Sequence, residues 1–164
     1  MPYISIQVSS DLTQLQTKNL VEGTTNIMAK ILHKKAELTA VSITKIDKEH
    51  WFIGNKLATN SVSAYVNAKI SKGTNTEQEK SDALHAFNQL LDSEIGPLTP
   101  TSYVVLDEVP TTDWGYDGLS QQARMLKRTE SGVIDMQYYT EKGKKERSDF
   151  IFSKLQKFRQ AIFN

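Results

Sequence analysis

Met1-Pro2-Tyr3-Ile4-Ser5-Ile6-Gln7-Val8 and Ala64-Tyr65-Val66-Asn67-Ala68-Lys69-Ile70 decide the fold. In the first stretch Ile4, Ile6 and Val8 alternate with Tyr3, Ser5 and Gln7, the period of a half-buried strand. The second repeats that pattern from Tyr65, 62 positions further on. Each stretch opens the same succession of elements. After the first, Ser9-Ser10-Asp11 offers helix caps. A helical stripe of Leu15, Leu20, Val21, Thr24, Ile27, Met28, Ile31 and Leu32 then runs to about His33. Lys34 and Lys35 suit its C-terminus. Thr39 to Ile46 reads as a second strand, and His50-Trp51-Phe52-Ile53-Gly54-Asn55 as an aromatic run ending in a turn. After the second stretch, Ser71 to Glu77 turns into a helix that reaches about Glu94, with Ala83, Phe87, Leu90 and Leu91 on its apolar face. Gly96-Pro97 stops it, Tyr103 to Leu106 is a fourth strand, and Asp113 to Gly118 closes the unit. Trp51 and Trp114, 63 positions apart, fall at one phase of the two units. An internal duplication of a right-handed βαβ unit accounts for all of this.

The expected fold is therefore α/β: two βαβ units, residues 1–60 and 61–125, forming one four-stranded sheet with both helices on one face. Residues 126–164 are a basic, partly helical extension. Arg124 to Arg128 suits a short helix, Val133 to Tyr139 reads as extended, and Lys144 to Phe163 reads as a helix. Phe150, Ile151, Leu155, Phe158 and Ile162 lie along one side of that last helix. Such a helix covers the body's own apolar surface, docks a partner or touches anionic lipid. Charge separates the two parts. Residues 1–123 hold 10 Lys/Arg against 14 Asp/Glu, whereas residues 124–164 hold 10 against 5, including all four arginines.

Composition excludes several classes. There is no cysteine, hence no disulfide or thiol chemistry, which fits a cytoplasmic protein. No apolar run approaches membrane-spanning length and no leader opens the chain. Three scattered histidines make a zinc site an unlikely use of the chain, so no metal or cofactor is expected.

Pro2 carries the chemical signal. A small residue behind an initiator Met favours removal of that Met, which would leave a terminal secondary amine. An α-amino group titrates near ~8, and desolvation or a nearby cation lowers that value. A base with a pKa near the working pH is what proton abstraction beside a carbonyl requires. Against this stands the simpler role of Pro2 as a strand start that needs no ladder donor.

Met1-Pro2-Tyr3-Ile4, the duplicated βαβ and His50-Trp51-Phe52-Ile53-Gly54 resemble the 4-oxalocrotonate tautomerase family in its fused two-unit form, over residues 1 to about 125. Lys72 to Thr76, Ser102 to Pro110 and Trp114 to Gly118 share that resemblance. It implies a homotrimer of fused chains and cofactor-independent catalysis by an amino-terminal proline, acting on small 2-oxo or 2-hydroxy acids. Only the first unit supplies the proline, since Ala64 precedes Tyr65. The resemblance has gaps. The best-known family members hold the substrate carboxylate with arginines, one at the turn after the first strand and another on the second strand. Those positions here read Ser10-Asp11 and Ser42, with Lys72 and Tyr103 taken as their repeats, and residues 1–123 contain no arginine. Bidentate clamping is therefore unavailable there, and the activities of the arginine-dependent dehalogenases and decarboxylase of the superfamily do not carry over.

Lys72, in a turn at a helix start, is the nearest substitute, although a solvated turn lysine is its plain alternative. Trp51 corresponds to a pocket aromatic of the short family members. Trp51 and Trp114 serve either the pocket or subunit contacts, and Tyr103 is a hydrogen-bond donor for an enolate oxygen or simply a half-exposed strand residue. Asp107 and Glu108 face opposite ways on their strand and form no carboxylate pair. The expected function is keto–enol tautomerisation with Pro2 as base and Lys72, Tyr103, Trp51 and Trp114 as substrate contacts. The competing class is a non-catalytic ferredoxin-like binding module with a basic tail for a protein or nucleic-acid partner. Nucleic acid is the weaker of those partners, because no strand carries an RNP-type aromatic pattern.

Overall fold

A computed structural model describes residues 2–58, 61–127, 129–131 and 134–163. Two compact units divide the chain, one reaching Gln121 and the other starting at Gln122. In the first, the strands β1 (Tyr3–Val8), β2 (Ala40–Lys45), β5 (Ala64–Ser71) and β6 (Tyr103–Val109) form one sheet in the order β2-β1-β5-β6. Strand β1 runs parallel to β2, and β5 parallel to β6, as the βαβ units require. The central pair β1/β5 is antiparallel, with Tyr3 opposite Lys69 and Gln7 opposite Tyr65, so the two units are related by a pseudo-twofold between them.

Alternation along the strands sets the two faces. Ile4, Ile6, Val8, Ala64, Val66, Ala68 and Ile70 are buried under α1 (Gln14–Lys30) and α2 (Glu77–Ile95). From the helices Leu20, Ile27, Met28, Ala83, Phe87 and Leu91 join that core. A Cβ on Gly23 would stand 2.5 Å from Leu90 Cδ1, so a glycine there permits the close approach of α1 to α2. The opposite face, away from α1 and α2, carries Tyr3, Ser5, Gln7, Tyr65, Asn67, Lys69, Tyr103, Val105 and Asp107.

The duplication extends to details. Both helices start with a capping box, Thr13 with Gln16 and Thr76 with Glu79. Each unit also adds a small hairpin. Strands β3 (Phe52–Ile53) and β4 (Lys56–Leu57) turn through Gly54 and Asn55, both at positive φ. Strands β7 (Gly115–Tyr116) and β8 (Leu119–Ser120) turn through Asp117 and Gly118, also both positive. Two successive positive φ values are what a two-residue type I′ turn demands. One closing bond recurs as well: Ala58 N–H donates to Trp51 O (3.0 Å) and Gln121 N–H to Trp114 O (2.9 Å).

The register corrects one assignment of the repeat. Tyr103 stands opposite Tyr65 as Ala40 stands opposite Tyr3, so the counterpart of Tyr103 is Ala40, and that of Ser42 is Val105. The cause is one extra residue in the second unit. Counted from the equivalent positions Val8 and Ile70, four residues (9–12) precede the Thr13 cap and five (71–75) precede the Thr76 cap. From the caps onward the offset is 63 instead of 62.

The second unit holds α3 (Gln121–Met125), which begins at the boundary, and α4 (Met136–Phe163). The run expected to be extended up to Tyr139 is instead helical from Met136. Asp135 Oδ1 accepts from Tyr138 N–H (2.8 Å), an N-cap that starts the helix early. Lys127 lies 4.2 Å from the Tyr138 ring centroid. Phe150 and Ile151 are exposed; the side chains of Leu155, Phe158 and Ile162 fall outside those described.

Candidate active site

Pro2 leads into β1 with its side chain fully buried, and its carbonyl accepts from Ala40 N–H (3.2 Å). Met1 lies outside the described residues. Because Tyr3 pairs with Lys69, continuing the register sets Pro2 beside Ile70, at the end of the sheet where β5 and β6 finish. The second unit's strand–helix turn begins there. Lys72 N–H donates to Val109 O (2.9 Å), which keeps Lys72 in line with β6 while its side chain is exposed. Trp114 follows Val109 by five residues, on the hairpin that continues from β6. Pro2, Lys72 and Trp114 therefore come from chain segments that meet or start at one end of the sheet.

Trp51 and Tyr103 belong to the other end. They line a cavity of about 510 Å³ together with Gln7, Phe52, Tyr65 and Thr101. Gln7 and Pro2 are five residues apart on one strand, about 17 Å at the usual rise. Within one chain the five candidate residues thus form two groups rather than one.

Electrostatics around Lys72 contain groups that sequence reasoning missed. Gly73, at φ +73, presents its N–H to Glu108 Oε1 (3.1 Å), and Glu108 Oε2 accepts from Lys80 Nζ (3.1 Å). The Gly73 N–H, the Lys80 ammonium and the nearby Lys72 charge together hold the Glu108 carboxyl below its ordinary range. Glu79 is likewise held low by Thr76 N–H and the Asn75 amide. The chain's own carboxylates thus occupy the donors that a helix start offers an anion. Lys34 donates to Thr74 Oγ1 (2.8 Å) and Asn75 Oδ1 (2.6 Å), and burial lowers its pKa despite Glu79 and Glu108. On the face away from α1 and α2 at this end, Lys69 pairs with Asp107, and Tyr3 shares a 2.9 Å hydrogen bond with Ser42 Oγ. The signal for these pairs was the alternation itself, which puts Asp107 and Glu108 on opposite faces.

At the other end the strand start is an internal residue, so it has no α-amine. At the counterpart of Pro2, Ala64 is buried and its amide N–H donates to Ser102 Oγ (3.0 Å). Ser9, Ser63 and Thr99 complete that buried polar network, with Ser63 N–H donating to Ser9 Oγ (2.8 Å). Among the described residues no group of three His, Asp or Glu side chains could hold a metal ion.

Comparisons with known proteins agree with this architecture. Residues 2–60 match the model of the tautomerase enzyme family. Probable tautomerase K2 of Dickeya dadantii (strain 3937) is 35% identical over 60 residues, which span 37% of this chain and 90% of that relative. A fused 4-OT, described as a wild-type symmetric trimer, superposes with a TM-score of 0.68 at 18% identity over 75% of this chain and 98% of its own. A protein whose crystal structure was determined after inactivation by 2-oxo-3-pentynoate gives 0.67 at 17% identity, over 74% and 98%. The chain belongs to the tautomerase family, and residues of both βαβ units share the fold of the fused 4-OT chains. Family and fold together support a tautomerase-type function. No helix among the described residues is long and apolar enough to cross a membrane.

Proposed function

We propose that removal of Met1 exposes the Pro2 amine, and that this amine is the base of a cofactor-independent keto–enol tautomerase acting on a small 2-oxo or 2-hydroxy acid. The lone pair on Pro2 nitrogen takes a proton from the carbon beside the carbonyl. The resulting enolate is reprotonated by the prolinium at oxygen or at another carbon, so no net proton is consumed. One observation carries the reading: the fully buried Pro2 side chain, at the sheet end where the Lys72 turn begins. Burial disfavours the charged amine and leaves a free base near neutral pH. Lys72 attracts the substrate carboxylate as a point charge, and Trp114 supplies an aromatic wall. Trp51 and Tyr103 reach such a site only from a neighbouring copy. A homotrimer suits the chain, because β2 and β6 are the outer strands of the sheet and its face away from α1 and α2 exposes Tyr3, Tyr103 and Val105. The fused relative described as a symmetric trimer supports that assembly.

The test joins mass spectrometry of the purified chain to turnover of phenylpyruvate. Mass lower by one methionine, activity in the wild type and its loss in Pro2→Ala are expected. A retained Met1 in active protein, or activity that survives Pro2→Ala, removes the proline mechanism. Sedimentation of the full chain at micromolar concentration is expected to give three copies, and a monomer would contradict the trimer.

A further inference from the structure

Helix α4 changes character at Phe150. Its acidic residues, Glu141, Glu146 and Asp149, all precede that point, and residues 150–163 carry Lys154, Lys157 and Arg159 with no Asp or Glu. Half of the same residues are Phe, Ile or Leu. Phe150, Ile151 and Phe152 stand exposed in succession, at 63, 57 and 66%, and a run of large apolar side chains in water marks an interaction surface. Ile151 opens a spacing of four, three and four residues that Leu155, Phe158 and Ile162 continue in the sequence, and the backbone stays helical to Phe163. By helical spacing Lys154 and Arg159 fall on opposite flanks of that row, roughly 70° from its centre. Lys154 is exposed and its Nζ lies 5.6 Å from the Phe150 ring centroid, so cation and aromatic ring share one patch. Earlier in the helix Lys144, Lys145 and Arg147 are exposed as well.

We infer that α4 from Phe150 onward is a membrane-surface element, which lies in the headgroup layer of a bilayer containing anionic lipid and holds the chain there. Charge and width select this occupant. The cations at the margins of the apolar row meet lipid phosphates while their aliphatic stems lie along the acyl boundary, and no carboxylate past Asp149 opposes them. Phe150 and Phe152 fall to the two sides of the row, which widens the apolar face beyond a narrow groove and matches a planar surface. Residues 150–163 span roughly 21 Å of helix, too short to cross a bilayer's hydrocarbon core, so the segment rests on the surface. This inference stands on α4 alone and does not depend on the Pro2 mechanism.

Flotation of the full chain with lipid vesicles tests it. The chain is expected to rise with vesicles of equal parts phosphatidylcholine and phosphatidylglycerol, and to bind vesicles of phosphatidylcholine alone at least about tenfold more weakly. Raising the salt from about 0.1 M to about 0.5 M should weaken the anionic binding several-fold. Ile151→Glu puts a charge into the exposed apolar patch and should cut binding about tenfold or more, and Lys154→Gln should cut it by a few-fold. Both positions are exposed, so an unchanged thermal melt is expected of each variant. Lys154→Gln is the milder change and keeps the test decisive if Ile151→Glu disturbs the helix. Absence of binding to either vesicle, equal binding to both, or indifference to both substitutions overturns the inference. So does a change in sedimenting mass on Ile151→Glu without lipid, since the patch would then pack on another copy of the chain. Binding of single-stranded RNA that Ile151→Glu leaves intact, with vesicles left unbound, would make α4 a nucleic-acid arm and likewise overturns it.

Discussion

The two ends of the central β1/β5 pair descend from one unit, yet they differ in the group placed at the strand start. At one end stands Pro2, buried, with no amide hydrogen to donate and the Lys72 turn beside it. At the other stands Ala64, its N–H donated to Ser102 Oγ in a network with Ser9, Ser63 and Thr99. One end is surrounded by charge, namely Lys69, Lys72, Lys80, Asp107 and Glu108; the other opens onto aromatic rings. Fusion lets each copy of a repeat keep the fold and specialise its end. The core is nearly symmetric, while the groups at the two strand starts are not.

The comparison breaks most sharply at Pro2. Replacing it by Ala removes the secondary amine and keeps a small apolar side chain. A loss of about a hundred- to ten-thousandfold in kcat/KM is expected, the usual range for a positioned base, with little change in melting temperature. Steady-state kinetics beside a thermal melt decides it. An unfolded Pro2→Ala protein would mean that the residue is chiefly a strand start.

Ser102→Ala is the mirror experiment. It strands the buried Ala64 N–H and loosens Thr99, at a cost of about 1–3 kcal/mol. Stability should fall and turnover at the Pro2 end should hold, the reverse of Pro2→Ala. Urea unfolding and kinetics on one preparation separate the two. A matching drop in kcat would show that the ends are coupled through the sheet.

Much of this was legible in the sequence. The alternation in Tyr3–Val8 and Ala64–Ile70 fixed the faces, and Trp51 with Trp114 exposed the duplication, because packing rules act on patterns that a linear chain displays. Strand register and turn length are harder to see. The extra residue between Ile70 and Thr76 shifts the repeat from 62 to 63, so Tyr103 was matched to Ser42 when its counterpart is Ala40. The sequence names five candidate residues but does not show that they lie in two clusters about 17 Å apart. That separation follows from the antiparallel β1/β5 pairing, which depends on contacts across 60-odd residues. The Glu108–Gly73 bond was missed for a similar reason, since a carboxylate on β6 reaches a turn 35 positions earlier. In α4 the Asp135 cap was overlooked, and with it the start of the helix at Met136.

Lys72→Ala sharpens the contrast between the charged end and the aromatic end. If Lys72 attracts the substrate carboxylate, KM for an acid should rise about five- to tenfold, close to 1 kcal/mol for an exposed cation. KM for the corresponding neutral ester should hardly move, and added salt should shrink the difference. Equal changes for acid and ester would remove Lys72 from the site.

The smallest expected effect lies at Glu108, which at present occupies the Gly73 N–H and screens Lys72. Glu108→Gln keeps an acceptor for Gly73 but removes the negative charge. Carboxylate affinity near pH 7 is then expected to rise about two- to threefold, because an anion no longer competes with a fixed one. Stability carries an independent signature. The Glu108 carboxyl titrates below its ordinary value in the folded chain, so its contribution is present above the ordinary carboxylate range. It is lost as pH falls through the lower, folded value. The wild type should therefore lose part of its melting temperature between about pH 5 and 3. Glu108→Gln should start lower at pH 7, without the Lys80 pair, and fall less steeply. Glu79 is held low in the same way and is untouched by the substitution, so the acid limb should shrink without vanishing. A steeper acid limb, or carboxylate binding weaker than wild type, would show that Glu108 orders the Lys72 turn more than it screens it.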